Sequence, residues 1–227
     1  FGSRVHPAQF APCAREHKFR RVRACGRVFG KGIDEDCQSG SKGPQPRCEG
    51  SISMTTLRPM LVDDLLHFNG VNLDSWTETF NMSFYYNYLT RWPECCVVAE
   101  SIDGSIAGYI IGKVEGHGED WHGHVSAISV APEFRRTGVA NRLMEHLEEI
   151  SDKVHNCYFV DLFVRATNSA AISFYQSLGY VTYRTVLGYY SGEEDAYDMR
   201  KPLARDKDGR SIRNAGAKIS PEELAND

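Results

Sequence analysis

A six-residue turn at positions 135–140 constrains the fold of this chain more than any other feature. It lies between an apolar, strand-like run at 125–130 and a strongly amphipathic segment at 139–153. Gly138 stands where the chain must turn, and the small Ala140 follows, so successive backbone N–H groups can point outward where the helix begins. The dipole of that helix favours an anion at its start. The sequence therefore predicts a strand, a phosphate-binding turn and a helix, in that order.

Length and apolar patterning indicate one domain with a full core in a chain of 227 residues. No run approaches the ~18 consecutive apolar residues of a membrane-spanning helix. The first 30 residues lack the continuous apolar stretch of a secretory signal. These observations predict a cytoplasmic protein and exclude helical membrane proteins.

The seven cysteines predict free thiols, because their number is odd and no Cys-x-x-Cys pair occurs. Four of them, Cys13, Cys25, Cys37 and Cys48, are almost evenly spaced, whereas zinc sites usually pair two ligands within a few residues. We therefore expect no metal.

Charge and composition together divide the chain into three segments. Residues 1–53 hold ten Lys and Arg against five Asp and Glu, and the remainder carries a net charge of −9. The first segment is rich in Gly, Pro, Ser and Arg and lacks apolar periodicity, which predicts a disordered basic extension. A folded domain is expected from 54 to 203, followed by a polar, loose tail from 204 to 227.

Periodicity predicts alternating strands and helices between 54 and 203. Asp103-Gly104 is a hairpin signal, Gly179 is typical of a helix end, and Pro93 ends the helix before it. The predicted strands are 55–58, 95–100, 106–114, 123–130, 158–164, 180–190 and 196–201; the predicted helices begin at Asp63 and span 83–91, 139–153 and 169–178.

Two blocks of residues carry a resemblance to a known family. The turn at 135–140 follows the pattern Arg/Gln-x-x-Gly-x-Gly/Ala, and Asn168 precedes a helix with Ala171, Phe174-Tyr175 and Leu178-Gly179-Tyr180. The chain resembles the GCN5-related N-acetyltransferases. That resemblance implies an α/β fold with a mixed seven-stranded sheet flanked by four helices.

Within that family, the chain is similar to the catalytic subunits of NatB N-terminal acetyltransferases. The matching segments include Trp121-His122-Gly123-His124-Val125, residues 129–136, 160–165, Tyr189-Tyr190-Ser191 and 195–201. The resemblance implies transfer of acetyl from acetyl-CoA, without a metal, to the α-amine of nascent chains that begin Met-Asp, Met-Glu, Met-Asn or Met-Gln. It also implies an auxiliary subunit that docks near the first helices and tethers the enzyme to the ribosome.

The resemblance assigns candidate residues to cofactor and catalysis. The cofactor set is Ile128, Ser129, Val130, Arg135, Arg136, Thr137, Gly138, Val139, Ala140, Asn168 and Tyr175. His124 either accepts the amine proton or binds the second residue of the substrate, since an imidazole can both accept and donate a proton. Tyr175 either protonates the departing thiolate or orients the cofactor. Asn168 contacts the pantetheine, caps the helix, or does both.

A third candidate set surrounds the peptide. It contains Glu78, Phe80, His124, Ser126, Ala127, Tyr189 and Tyr190. By resemblance, Glu78 to Phe80 and the paired tyrosines form two walls, and Phe80 stands where the family has a tyrosine. Two other functions stay open: an acetyltransferase of the same fold with another N-terminal or lysine specificity, and a non-catalytic subunit that binds RNA or the ribosome through its basic segment.

Overall fold

The computed structural model describes residues 55–73, 77, 79–190 and 192–224. The predicted disordered extension at 1–53 and the cysteines at 13, 25, 37 and 48 lie outside these residues, as do Glu78 and Ser191. None of the helices in the described part of the chain is long and apolar enough to span a membrane.

A mixed sheet of eight strands forms the centre of the fold, with the order β1-β2-β3-β4-β5-β7-β6-β8. Neighbouring strands are antiparallel except in the pairs β4–β5 and β6–β8. The strands are β1 Thr55–Pro59, β2 Cys96–Ser101, β3 Ile106–Glu115, β4 His122–Val130, β5 Phe159–Arg165, β6 Val181–Tyr190, β7 Glu194–Pro202 and β8 Ala217–Ile219.

Within the described residues, four helices accompany the sheet: α1 Met82–Arg91, α2 Val139–Glu149, α3 Ser169–Ser177 and the short α4 Pro221–Leu224. Asn81 caps α1 by accepting a hydrogen bond from the backbone N–H of Phe84. A wider turn, Ile150–Val154, continues α2. Gly179 follows α3 with φ 92°, so the predicted glycine end of this helix is confirmed.

The structure corrects three predictions. The helix expected from Asp63 is two 3₁₀ turns, Val62–Leu66 and Phe68–Val71. The side chain of Asp64 accepts hydrogen bonds from the backbone N–H of Leu61 and from Arg58 of β1, and these contacts tighten the chain there. Cys95 lies in a 3₁₀ turn before β2. The tail is not loose throughout, because β8 pairs with β6 as an eighth strand.

Apolar side chains fill a layer on each face of the sheet. One layer joins α2 and α3 to the strands and includes Leu143, Leu147 and Tyr175. The other joins α1 and the 3₁₀ turns to the strands and includes Phe68, Tyr88 and Tyr109. The predicted α/β fold class with a mixed sheet is confirmed, with eight strands instead of seven.

Candidate active site

The site begins where two parallel strands separate. β4 and β5 pair only where His122 to Val125 face Phe159 to Leu162. Beyond Val125, β4 remains paired with β3 as far as Val130. A bulge opposite Ile111 and Gly112 places Ser126 outside the regular register. On the side of β4 that faced β5, alternate backbone N–H and C=O groups are therefore left without a strand partner.

A cleft of about 990 Å³ occupies this gap. Phe174 and Tyr175 line it from the layer of α3. Phe80 and Tyr109 line it from the layer of α1. Because both layers contribute, two molecules can meet in the cleft from opposite faces of the sheet.

The turn before α2 has the geometry of an anion site. Gly138 is its N-cap residue with φ 87°, and Arg136 also has a positive φ of 64°. A Cβ at Gly138 would meet no atom within 4 Å, so the backbone conformation rather than crowding requires glycine. No acidic residue lies in the first turn of α2. The first amides of the helix, before the N–H of Arg142 bonds to Gly138, are available to a ligand.

The helix α3 brings Asn168 and Tyr175 to the other side of the cleft. The Oδ1 atom of Asn168 accepts the backbone N–H of Ala171 at 3.1 Å, so the capping role is confirmed. The Tyr175 ring packs against Phe174 and Tyr180. Burial raises the pKa of Tyr175 to about 12, and its hydroxyl is therefore a proton donor at neutral pH.

His124 lies one residue before the strands separate. Its Nδ1 is 2.8 Å from Oδ1 of Asp161, which is its partner in the β4–β5 register. Its ring is 5.8 Å from the ring of Phe163, and Phe163 lines the cleft. His122 lies deeper, since its ring is stacked on Phe159 and its Nδ1 contacts the carbonyl oxygen of Asp120.

Aromatic side chains flank the cleft on two sides. Phe80 stacks on Phe84 with ring centroids 4.0 Å apart, and its backbone N–H donates to the hydroxyl of Tyr85. On the opposite side, Tyr189 stacks on Phe163 at 5.0 Å. The hydroxyl of Tyr190 donates to the carbonyl oxygen of Phe163 at 3.4 Å.

Most of the predicted site residues meet in this one cleft. Thr137 is not among the residues that line the cleft, and its hydroxyl donates to the carbonyl oxygen of Phe134. His124 and Tyr189 lie beside it, against Phe163. The predicted residues that line the cleft are Phe80, Ser126, Ala127, Ile128, Ser129, Val130, Arg135, Arg136, Gly138, Val139, Ala140, Asn168, Tyr175 and Tyr190.

Sequence reasoning missed three residues of β5. Phe163 and Arg165 line the cleft, and Asp161 holds His124. The guanidinium of Arg165 lies 4.1 Å from the centroid of the Tyr190 ring and bonds Glu194 at 2.6 Å. These three residues alternate along the strand and so share one face. That alternation was the available signal, but the apolar residues between them indicated only a core strand.

The described cysteines are buried, and most of the candidate metal ligands are bonded to other side chains. Cys95, Cys96 and Cys157 are free and buried, as predicted, and burial raises the pKa of each thiol to about 12. One group of potential ligands contains Glu94, Cys95 and His155, and the other contains Glu115, His122 and His124. Glu94 is bonded to His155, Glu115 to Lys113 and His124 to Asp161.

Comparison with known proteins agrees with this geometry. The model of the acetyltransferase (GNAT) family matches residues 65–180. The N-terminal acetyltransferase B complex catalytic subunit NAA20 of Arabidopsis thaliana is 57% identical over 174 residues, which are 77% of this chain and 100% of that protein.

Solved structures give the same result. Naa20 of Chaetomium thermophilum, in complex with a bisubstrate analogue, matches with a TM-score of 0.71 and 41% identity over 74% of this chain and 98% of that chain. A chain of the NatB acetyltransferase complex bound to CoA and MES matches with a TM-score of 0.61 and 39% identity, over 66% of this chain and 99% of that chain. The chain therefore belongs to the acetyltransferase (GNAT) family, among the catalytic subunits of N-terminal acetyltransferase B.

Proposed function

We propose that this chain transfers acetyl from acetyl-CoA to the α-amine of proteins that begin Met-Asp, Met-Glu, Met-Asn or Met-Gln. It is the catalytic subunit of a NatB-like complex and uses acetyl-CoA as cosubstrate. The observation that carries the proposal is that a phosphate-binding turn, an open strand edge and two aromatic walls meet in one cleft. Relatives that share this fold are named for N-terminal acetylation.

The turn and the open edge fit acetyl-CoA. The first amides of α2 and the exposed Arg135 and Arg136 would bind the diphosphate, because a helix N-terminus and cations both favour anions. The backbone groups of Ile128 and Val130, which face the gap on either side of Ser129, would hold the pantetheine arm and polarise the thioester carbonyl. One N–H aimed at the developing oxyanion is worth about 3 kcal/mol.

Positioning supplies most of the rate enhancement in this proposal. An α-amine with an unperturbed pKa of about 7.7–8.0 is already partly neutral at cellular pH. The amine attacks the thioester carbonyl, and the thiolate that leaves takes a proton from the Tyr175 hydroxyl or from water. His124 lies where the strands separate and so is near the point of attack.

The two aromatic walls fit a peptide N-terminus. Phe80, Ser126 and Ala127 line the cleft on one side and Tyr190 on the other, with Tyr189 behind Phe163. The residue that follows the substrate's methionine is acidic in half of the proposed substrates, although the domain itself is acidic. Arg165, at the rim, is the nearby donor that would offset this field.

The auxiliary subunit would dock on an apolar surface beside α1. Leu61, Val62, Leu66 and Leu73 are 58%, 52%, 68% and 72% exposed. They lie in or next to the two 3₁₀ turns, and contiguous exposed apolar side chains mark interaction surfaces. Through that partner the enzyme would act at the ribosome in the cytoplasm.

Acetyl transfer by the full chain, co-expressed with its auxiliary subunit, tests the proposal. Peptides that begin Met-Asp and Met-Asn should be acetylated, whereas Met-Leu peptides and internal lysines should react at least tenfold more slowly. Arg165→Ala should lower the rate on Met-Asp peptides relative to the rate on Met-Leu peptides. Activity on Met-Leu or lysine without activity on Met-Asp would contradict the proposed specificity. Failure of acetyl-CoA to raise the melting temperature would contradict catalysis itself.

A further inference from the structure

Two imidazoles share one buried carboxylate beside the cleft. Oδ1 of Asp161 lies 2.8 Å from Nδ1 of His124 and 3.6 Å from Nε2 of His122. Asp161 is only 5% exposed. The three residues lie on neighbouring strands: His124 and Asp161 are paired one position before β4 and β5 separate, and His122 lies two residues earlier on β4.

The acceptors around these rings fix where their protons lie. Burial alone would raise the pKa of Asp161. The neighbouring His124, His122 and Arg200 lower this pKa by more than burial raises it, so the pKa of Asp161 lies well below its ordinary value. Asp161 is therefore ionised and can only accept, so Nδ1 of His124 carries the proton. In the same way, Nδ1 of His122 donates to the carbonyl oxygen of Asp120 at 2.6 Å. When the His124 ring is neutral, its lone pair is consequently on Nε2.

We propose that Asp161 is a positioning residue, which holds His124 as the Nδ1-protonated tautomer so that Nε2 accepts the proton of the attacking α-amine. This inference rests on the proposed function. As the new C–N bond forms, the amine proton moves to Nε2, directly or through one water. The C–S bond then breaks and its electron pair goes to sulfur. The imidazolium returns its proton to solvent, so the residues end each cycle unchanged.

The charges packed around the pair make this arrangement stable. On β3, Lys113 is paired in register with His124 and bonds Glu115 at 2.6 Å. On β7, Arg200 is opposite Asp161 in the register. Arg200 also contacts Asp198 at 3.4 Å, and Asp198 bonds Arg184 at 2.8 Å. The negative charge of Asp161 is thus stabilised from both neighbouring strands, by His124 and His122 of β4 and by Arg200 of β7, which is what a buried carboxylate requires.

Asp161→Asn tests the proposal because it removes the charge and keeps the shape. An amide can turn its NH₂ group toward Nδ1 and so stabilise the opposite tautomer. We expect kcat on a Met-Asp peptide to fall by about 10²-fold or more, with little change in KM. The acidic limb of the pH profile, which reports the base, should move or disappear. Binding of acetyl-CoA should be unchanged and serves as the check on folding.

Asp198→Asn is the matched control. Asp198 is another buried carboxylate of the same sheet, but its partners are the guanidinium groups of Arg184 and Arg200. This change should lower the melting temperature and keep the shape of the pH profile. If both variants lose activity equally and keep the wild-type pH profile, Asp161 is only part of the electrostatic framework and the proposal is wrong.

Two further measurements do not depend on how well Asp161→Asn folds. Nitrogen-15 NMR of the wild-type complex should find neutral His124 protonated at Nδ1, and protonation at Nε2 would overturn the proposal. In addition, Asp161→Asn should not lower kcat any further in an enzyme that already carries His124→Gln, because the two residues act as a unit. If the wild-type complex acetylates no Met-Asp peptide, the proposed function fails, and the NMR result still decides how Asp161 holds His124.

Discussion

At the scale of single residues, Gly138 has a conformational role that can be separated from its role in binding. Its φ of 87° is matched by Gly104, with φ 83°, in the β2–β3 turn, which does not line the cleft, and neither position crowds an added Cβ. An alanine at either site would carry the same left-handed backbone penalty of about 1–2 kcal/mol. The two glycines therefore form a matched pair.

Gly138→Ala should weaken acetyl-CoA binding by about tenfold, which corresponds to about 1.4 kcal/mol. The reason is that relaxation of φ would turn the first amides of α2 away from the diphosphate. Gly104→Ala should lower the free energy of unfolding similarly and leave the affinity unchanged. Isothermal titration with acetyl-CoA measures both, and equal affinities of the two variants would contradict a phosphate-binding role for this turn.

Tyr175→Phe should lower kcat by less than about tenfold. It should leave the shape of the pH profile between about pH 7 and pH 9 unchanged. With its pKa raised to about 12, the hydroxyl stays protonated across that range. A thiol with an ordinary pKa of about 8.5 is also a good leaving group without assistance. Steady-state kinetics against pH give the answer, and a loss above 10³-fold would assign Tyr175 an essential proton transfer.

At the scale of elements, two asparagine caps separate stability from function. Asn168 caps α3 and lines the cleft, whereas Asn81 caps α1 through the same kind of bond, in which the N–H of Phe84 donates to Oδ1 of Asn81 at 3.0 Å. Changing either residue to alanine should reduce the free energy of unfolding by about 1 kcal/mol. Only Asn168→Ala should also raise KM for acetyl-CoA. If both variants keep the wild-type KM, Asn168 is a helix cap alone.

The sequence predicted those elements whose signals are local. The start of α2 depends on Gly138, the end of α3 on Gly179 and the β2–β3 hairpin on Asp103-Gly104, and each lies within a few residues of the structure it forms. The 3₁₀ turns were missed because Asp64 is held by Arg58 of β1, a tertiary contact that overrides helix propensity. The strand β8 was missed because its pairing with β6 links residues that are more than 30 apart.

The site was predictable to the same extent. Asn168 and Tyr175 lie on a helix with a recognisable motif, and the structure brings both to the cleft. The link between Asp161 and His124 spans 37 residues and depends on the register of β4 against β5. No periodicity in either strand indicates where two paired strands will separate. Phe163 and Arg165 were overlooked for the same reason.

At the scale of the whole molecule, the apolar surface formed by Leu61, Val62, Leu66 and Leu73 provides a test of assembly. Leu66→Arg should abolish co-purification with the auxiliary subunit, because it buries an unpaired charge in the interface. Ile102→Arg is the control, since Ile102 is 85% exposed in the β2–β3 turn. Both variants should keep the stability of the isolated chain within about 0.5 kcal/mol. Retention of the complex by Leu66→Arg would place the interface elsewhere.

The two outer strands of the sheet, β1 and β8, are five and three residues long. Because they are short, they expose few unpaired backbone groups with which a strand of another molecule could pair. Pro59 in β1 lacks an N–H and removes one more donor. Truncation of the chain before Ala217 would instead leave the ten-residue β6 as an exposed edge strand. Such a truncated enzyme would be prone to stack edge to edge into aggregates, so the C-terminal segment protects the protein's colloidal stability without touching its chemistry.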